Sequence, residues 1–183
     1  FGMLIAAIVL FIVYKNRQEK ARLLKRAQRD ALTGLYNKKT TQDLIERSLE
    51  EGEAESCNGL LIMDVDCFKQ VNDTYGDIVG DKVLKTFEYL LARQFREHDI
   101  AGRIGGDEFL VLIPGITENL FQSMIRSMLV DMAKSSVHLA LGSVWVDDCT
   151  GKVEKSLSEA DARMYEDKRA YYAKNRQLDR RRH

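Results

Sequence analysis

The chain has 183 residues, 28 Lys plus Arg and 28 Asp plus Glu, so its formal net charge is zero. With 45% hydrophobic and 31% charged residues, one Pro and 12 Gly, it is neither a disordered chain nor a Pro- or Gly-rich repeat, and its length suits one domain with short attachments. The zero conceals an asymmetry: residues 15–29 carry +6 and residues 174–183 carry +4, leaving −10 for the rest.

Residues 1–14 (FGMLIAAIVLFIVY) hold no charge and no Pro. A bilayer span takes roughly 20 apolar residues, so this run is expected to be the end of a transmembrane helix that starts before residue 1. Its positive charges follow the run rather than precede it, which argues against a signal peptide. By the positive-inside rule the basic stretch then puts the following domain in the cytoplasm, at the inner membrane and against anionic headgroups. Residues 15–31 are expected to continue as a signalling helix. Leu23, Leu24, Ala27 and Ala31 give it one apolar seam suited to pairing with its own copy. Gly34 is the expected stop.

Further along, the periodicity predicts a helix over 38–51 with Leu44, Ile45 and Leu49 on one face, then an acidic loop over 51–56. An apolar strand follows over 59–66. A strongly amphipathic helix over 81–95 turns Val83, Leu84, Phe87, Leu90, Leu91 and Phe95 inward. Residues 101–104 and 107–113 read as a hairpin around Gly105-Gly106, whose tight turn would need positive φ. A helix over 117–133, a strand over 138–146 and a helix over 156–173 complete the chain. The predicted class is α+β, with a mostly antiparallel central sheet flanked by helices. Cys57, Cys67 and Cys149 are odd in number and lack metal spacing, so reduced thiols are expected. His98, His138 and His183 are isolated and read as solvated or packing residues.

Asp64 and Asp66 close one predicted strand, while Asp107 and Glu108 stand at the hairpin turn. If these strands are neighbours, four carboxylates converge, and a hard divalent cation would offset their repulsion. Lys69 could neutralise phosphate. Asn72 and Asp81 offer the amide and carboxylate that read a purine edge. Gly105 and Gly106 let backbone approach a ligand. Taken singly, a solvated strand end or a polar turn accounts for each of these equally well, and carboxylate clusters alone identify no reaction.

The motifs together resemble the GGDEF family, the diguanylate cyclases. Arg103 precedes Gly105-Gly106-Asp107-Glu108-Phe109 as in the family's R-x-G-G-D-E-F. Residues 64–73 match D-x-D-x-F-K-x-x-N-D, and Gly76 and Gly80-Asp81 follow in place. Residues 30–37 match D-x-L-T-G-L-x-N, while Ala160-Asp161, Met164-Tyr165 and Lys168 match the closing motif. With the readings above, the chain divides into the end of a membrane helix (1–14), a signalling helix (15–31), a GGDEF domain (32–173) that the resemblance marks, and a basic tail (174–183).

The resemblance implies a palm-like nucleotidyl cyclase fold and condensation of two GTP into cyclic di-GMP, with no nucleic-acid polymer as partner. Asp64, the Val65 carbonyl, Asp107 and Glu108 would hold Mg2+, with Mn2+ as an alternative. Asp107 would act as base, with Glu108 and Lys69 as its catalytic companions. The Phe68 backbone, Lys69 and Lys168 would hold the triphosphate, and Asn72 and Asp81 the guanine. Each domain would carry one GTP, so a homodimer is required. Arg96 and Asp99 match the family's R-x-x-D inhibitory site, with Arg103 assisting.

Two departures bear on the substrate. Asp77 stands where the family usually has His, and Tyr171-Tyr172-Ala173 replace its G-R-N, removing an arginine near the triphosphate. An active cyclase with a raised KM for GTP is expected; a weak or inactive module sensing GTP or cyclic di-GMP is the alternative. A phosphodiesterase would need a second domain, which this length does not accommodate.

Overall fold

The computed structural model describes residues 2–51, 57–66, 68–96, 98–134, 138–147 and 153–180; the expected acidic loop past Glu51, Cys67, Cys149 and His183 lie outside them, as does the side chain of Leu49. In chain order the elements are α1 (Gly2–Ala27), β1 (Tyr36–Asn37), α2 (Lys38–Glu51), β2 (Asn58–Val65), α3 (Phe68–Tyr75), α4 (Asp77–Gln94), β3 (Ile100–Arg103), β4 (Glu108–Pro114), α5 (Glu118–Ala133), β5 (Leu139–Val146) and α6 (Val153–Arg180).

The five strands form one sheet in the order β1-β3-β4-β2-β5. Among the described residues the β1–β3 pairing is parallel and the other three are antiparallel. This is the α+β class the sequence predicts. Every residue of β2 is buried, because helices cover both faces of the sheet. Parity separates the two faces. Leu61, Met63 and Val65 pack with Leu84, Phe87 and Leu91 of α4 and with Phe121 and Ile125 of α5. Leu60 and Ile62 pack on the opposite side with Ile45 of α2 and with Ala160 and Met164 of α6. Asp64 and Asp66 share the even parity, so the end of β2 directs both carboxylates toward α6.

The membrane-helix expectation finds no support, and others need correction. No helix among the described residues is long and apolar enough to cross a membrane. The whole of α1 is exposed, its seam residues Leu23 and Leu24 included, and the helix ends at Ala27 rather than Ala31. At the hairpin, neither Gly105 nor Gly106 has positive φ. The connection runs through residues 104–107, and this four-residue length removes the demand that a two-residue turn would impose. Finally, α3 and the first turn of α4 were not predicted. Gly76, with φ 82°, separates these two helices, and α3 is only eight residues long, too short a run for its period to mark a helix.

Candidate active site

The site is built where β2 ends and β4 and β5 begin. The β2–β4 register pairs Asp64 with Glu108, and the Val65 N–H donates to the Asp107 carbonyl at 3.0 Å. Asp64 and Asp107 thus share one sheet edge, and the converging-carboxylate expectation holds for them. The turn is closed by the Ile104 N–H donating to the Glu108 carbonyl at 2.9 Å. Glu108 folds back over Gly105, where a Cβ would lie 2.5 Å from its Oε2.

Lys168 comes from α6. Ala160, Met164, Lys168 and Tyr171 recur at helical spacing on the face turned to the sheet, so two buried apolar residues are followed by two chemical ones. The Lys168 ammonium donates to Asp64 Oδ1 at 2.8 Å and lies 3.8 Å from Asp66 Oδ1. Burial disfavours its charge, but the bond to Asp64 and the charges of Asp64, Asp66 and Asp107 outweigh this and raise its pKa. Asp107 is pushed up, first by burial and then by the charge of Asp64, against the pull of Lys168 and Arg103.

Asp66 is fully enclosed. Burial raises its pKa, opposed by His138, whose Nδ1 lies 2.6 Å from Asp66 Oδ2. The other oxygen, Oδ1, is buried without a hydrogen-bond partner. The Tyr171 ring stacks on His138 with centroids 3.4 Å apart and an interplanar angle of 19°. Tyr172 meets Tyr171 edge-on at 5.8 Å. A column Asp66–His138–Tyr171 therefore fills the region where the family motif has G-R-N. His138 and Tyr171 are site residues that the sequence did not reveal: their partner Asp66 is 72 residues from His138, and no local pattern marks it.

The remaining expected residues occupy α3, α4 and their neighbourhood. Phe68 opens α3 and packs on the core, while Lys69 is exposed beside it. Asn72 points at Gly80, the residue before Asp81: a Cβ on Gly80 would sit 1.8 Å from Asn72 Oδ1. That oxygen is buried and unpartnered. Asp81 and Asp77 are exposed on α4, Asp77 in its first turn.

Arg96 and Asp99 form a closed turn: the Arg96 N–H donates to Asp99 Oδ2 at 2.7 Å, and the Asp99 N–H to the Arg96 carbonyl at 3.1 Å. A cavity of about 340 Å³ lies beside them, lined also by Arg29, Tyr36, Leu35 and Phe95. Arg103, expected to assist there, is held elsewhere. It donates to Asp30 Oδ1 at 3.1 Å through Nη1, and to the Gly106 carbonyl at 3.1 Å through Nε and 2.7 Å through Nη2. It ties residues 30–37 to the turn that carries Asp107.

Among the described residues no three His, Cys, Asp or Glu side chains are placed to hold a metal ion by themselves. The donors at hand are nonetheless hard oxygens: two carboxylates, the Val65 carbonyl and the unpartnered Asp66 Oδ1. That set suits Mg2+, which takes one or two carboxylates and completes its shell with substrate phosphates and water.

Comparison with known proteins identifies the family. The family described as diguanylate cyclase, GGDEF domain, matches residues 27–174. The probable diguanylate cyclase DgcC of Escherichia coli is 28% identical over 165 residues, 85% of this chain and 44% of DgcC. Diguanylate cyclase TpbB of Pseudomonas aeruginosa is 32% identical over 164 residues, 84% of this chain and 38% of TpbB. The chain therefore spans less than half the length of either relative. The solved coiled coil and GGDEF domain of DgcB from Caulobacter crescentus, in complex with c-di-GMP, has the same fold: TM-score 0.80 over 90% of this chain and 92% of that one, at 24% identity. Diguanylate cyclase SiaD of Pseudomonas aeruginosa, in complex with its activator SiaC, gives a TM-score of 0.74 at 28% identity, over 91% of this chain and 67% of that one. With the family match covering most of its length, this chain belongs to the GGDEF-domain family of diguanylate cyclases.

Proposed function

We propose that this chain is an active diguanylate cyclase, joining two GTP into cyclic di-GMP with release of two pyrophosphates. The observation that carries the reading is the meeting of Asp64, Asp107 and Lys168 at one sheet edge: two carboxylates for a cation and a cation for phosphate. Asp64, the Val65 carbonyl and Asp107 would hold Mg2+ (or Mn2+), with Glu108 alongside. Bound there, the ion would offset triphosphate charge and lower the pKa of the attacking hydroxyl.

The residues divide the rest of the work. Asp107 takes the proton from the 3′-hydroxyl of the facing GTP. Lys69, Lys168 and the Phe68 N–H hold the triphosphate and offset the charge on the leaving pyrophosphate. Asn72 donates to the guanine edge and Asp81 accepts from it. One domain holds one GTP, so the reaction needs two copies face to face. Arg96 and Asp99 bind the product and slow the enzyme. Asp77 and the absence of an arginine at 171–173 raise the KM for GTP.

The test incubates the 183-residue chain with GTP and Mg2+ and follows cyclic di-GMP by chromatography. Turnover is expected, with specific activity rising with protein concentration, and is lost in Asp107→Asn. The aromatic column in place of G-R-N favours one second reading, a GTP-binding module without turnover. Tight GTP binding with no cyclic di-GMP at any protein concentration would establish that reading instead.

A further inference from the structure

We infer that Arg29 and Tyr36 form the second wall of the Arg96–Asp99 pocket, and that Arg29 grips a phosphate of the cyclic dinucleotide there, tying occupancy of the pocket to the junction between α1 and the domain. The inference rests on the product-binding reading of Arg96 and Asp99 given above.

The pocket's chemistry is more complete than the R-x-x-D turn alone supplies. At about 340 Å³ it lies within the ~300–1,000 Å³ of small-molecule sites. Its lining holds two guanidinium groups (Arg29, Arg96), one carboxylate (Asp99) and one tyrosine ring (Tyr36). A guanidinium takes phosphate oxygens two at a time. A carboxylate accepts from the Watson–Crick edge of guanine. Purines stack on aromatic rings and on arginine planes. Those are the groups a cyclic di-guanylate presents.

Among the described residues Arg29 has no acidic partner. Its Cζ lies 4.0 Å over the centre of the Tyr36 ring, and its Nη1 donates to the Gly34 carbonyl at a long 3.3 Å. Neither contact neutralises its charge. Arg103, which might have filled this role, is bound to Asp30 and Gly106.

Arg29 also belongs to the junction. It follows the end of α1 by two residues and forms an antiparallel bridge with Tyr36. Asn37 clasps the same turn, donating from Nδ2 to the Ala27 carbonyl at 2.7 Å and from its N–H to the Gln28 carbonyl at 3.0 Å. Arg29 and Tyr36 in addition line a groove of about 1010 Å³ that runs along α1 past Arg22, Lys25 and Arg26. One pair of side chains is therefore the partition between pocket and helix. A phosphate that draws Arg29 toward Arg96 stiffens the junction, and whatever repositions α1 changes the affinity of the pocket by the same factor.

The test is calorimetric titration of the 183-residue chain with cyclic di-GMP, in wild type, Arg29→Gln and Arg96→Ala, with hydrogen exchange of the amides of residues 26–31 measured with and without the nucleotide. Arg29→Gln should weaken binding about tenfold or more, as loss of a charge-assisted hydrogen bond does. Arg29→Lys, which keeps charge but not the planar fork, should fall between. The nucleotide should protect residues 26–31 in wild type and not in Arg29→Gln. Arg29 is exposed, so folding of the variant is checked by its unfolding midpoint alone. If Arg29→Gln binds like wild type while Arg96→Ala does not, this inference is overturned and the product-binding reading stands. If neither substitution changes binding, both fall.

Discussion

Asn72 and Gly80 occupy space that only a glycine leaves open. A methyl at position 80 would sit 1.8 Å from Asn72 Oδ1 and 2.9 Å from its Cγ. Gly80→Ala should therefore expel the Asn72 side chain, cost about 1–3 kcal/mol in urea denaturation, and weaken GTP binding more than GTP-independent properties. Asp107 makes a different prediction. Its carboxyl is raised in the folded state by burial and by Asp64, so the folded protein favours the protonated form. That contribution is present below the ordinary carboxylate range and lost as pH rises through the raised value. Asp107→Asn should accordingly melt higher than wild type at pH 7, with the gap closing as the pH falls toward 4, even though it turns over no GTP. A variant that melts lower at pH 7 would contradict this. Asp30 has the opposite sign. Burial alone would raise it, but the Thr33 hydroxyl and N–H and Arg103 outweigh burial and hold it below the usual range. Its contribution is present above that range and lost as pH falls through the depressed value. At this scale the sequence named Asp64, Asp107 and Lys168, which the fold brings together. Its failure at Arg103 and His138 has one cause: which partner a guanidinium or imidazole meets depends on chain segments 72 or 73 residues away.

Among the elements, α6 matters most to the site because its stripe sets where Lys168 stands. The helix lies so close to β5 that a Cβ on Gly142 would meet the Ala160 carbonyl oxygen at 1.8 Å and the Met164 N at 2.7 Å, both backbone atoms. Backbone cannot rotate away, so Gly142→Ala should shift α6, destabilise at the upper end of ~1–3 kcal/mol, and draw Lys168 off Asp64 with a rise in the KM for GTP. At its far end α6 is held by the Asp66–His138–Tyr171 column and by Asp167, which accepts from the Leu141 N–H at 3.0 Å. Tyr171→Ala should loosen that end and raise the KM several-fold with little change in kcat, whereas Tyr171→Phe, which keeps the ring, should match wild type. Helices α4, α5 and α6 and strands β2, β4 and β5 were legible because each carries a long apolar period. The pair β1 and α3 was not: a two-residue strand and an eight-residue helix are too short for a period to identify them.

For the whole molecule, α1 stands apart. It contributes no buried residue, while both cores are complete without it. A chain starting at residue 28 should keep the urea midpoint of the full chain, since no apolar burial is lost. If α1 brings two copies together, that shortened chain should lose specific activity at low protein concentration and regain it at high. A midpoint that drops by more than the scatter of the measurement would show that α1 packs on the domain after all.

What the sequence determined by itself was the set of local preferences and the chemical inventory: element types, the α+β class, and the carboxylates, lysines and amides of a GGDEF domain at their family spacing. Those depend on residues near one another along the chain. The tertiary structure decided the pairings. Helices on both sides of β2 turn its even-numbered positions toward α6, and this places Asp64 on Lys168 and Asp66 on His138. The pairing of β1 with β3 brings Arg103 to Asp30 and leaves Arg29 lining one pocket with Arg96. Side-chain partners of this kind are fixed by sheet parity and long-range register, neither of which exists until the strands have met.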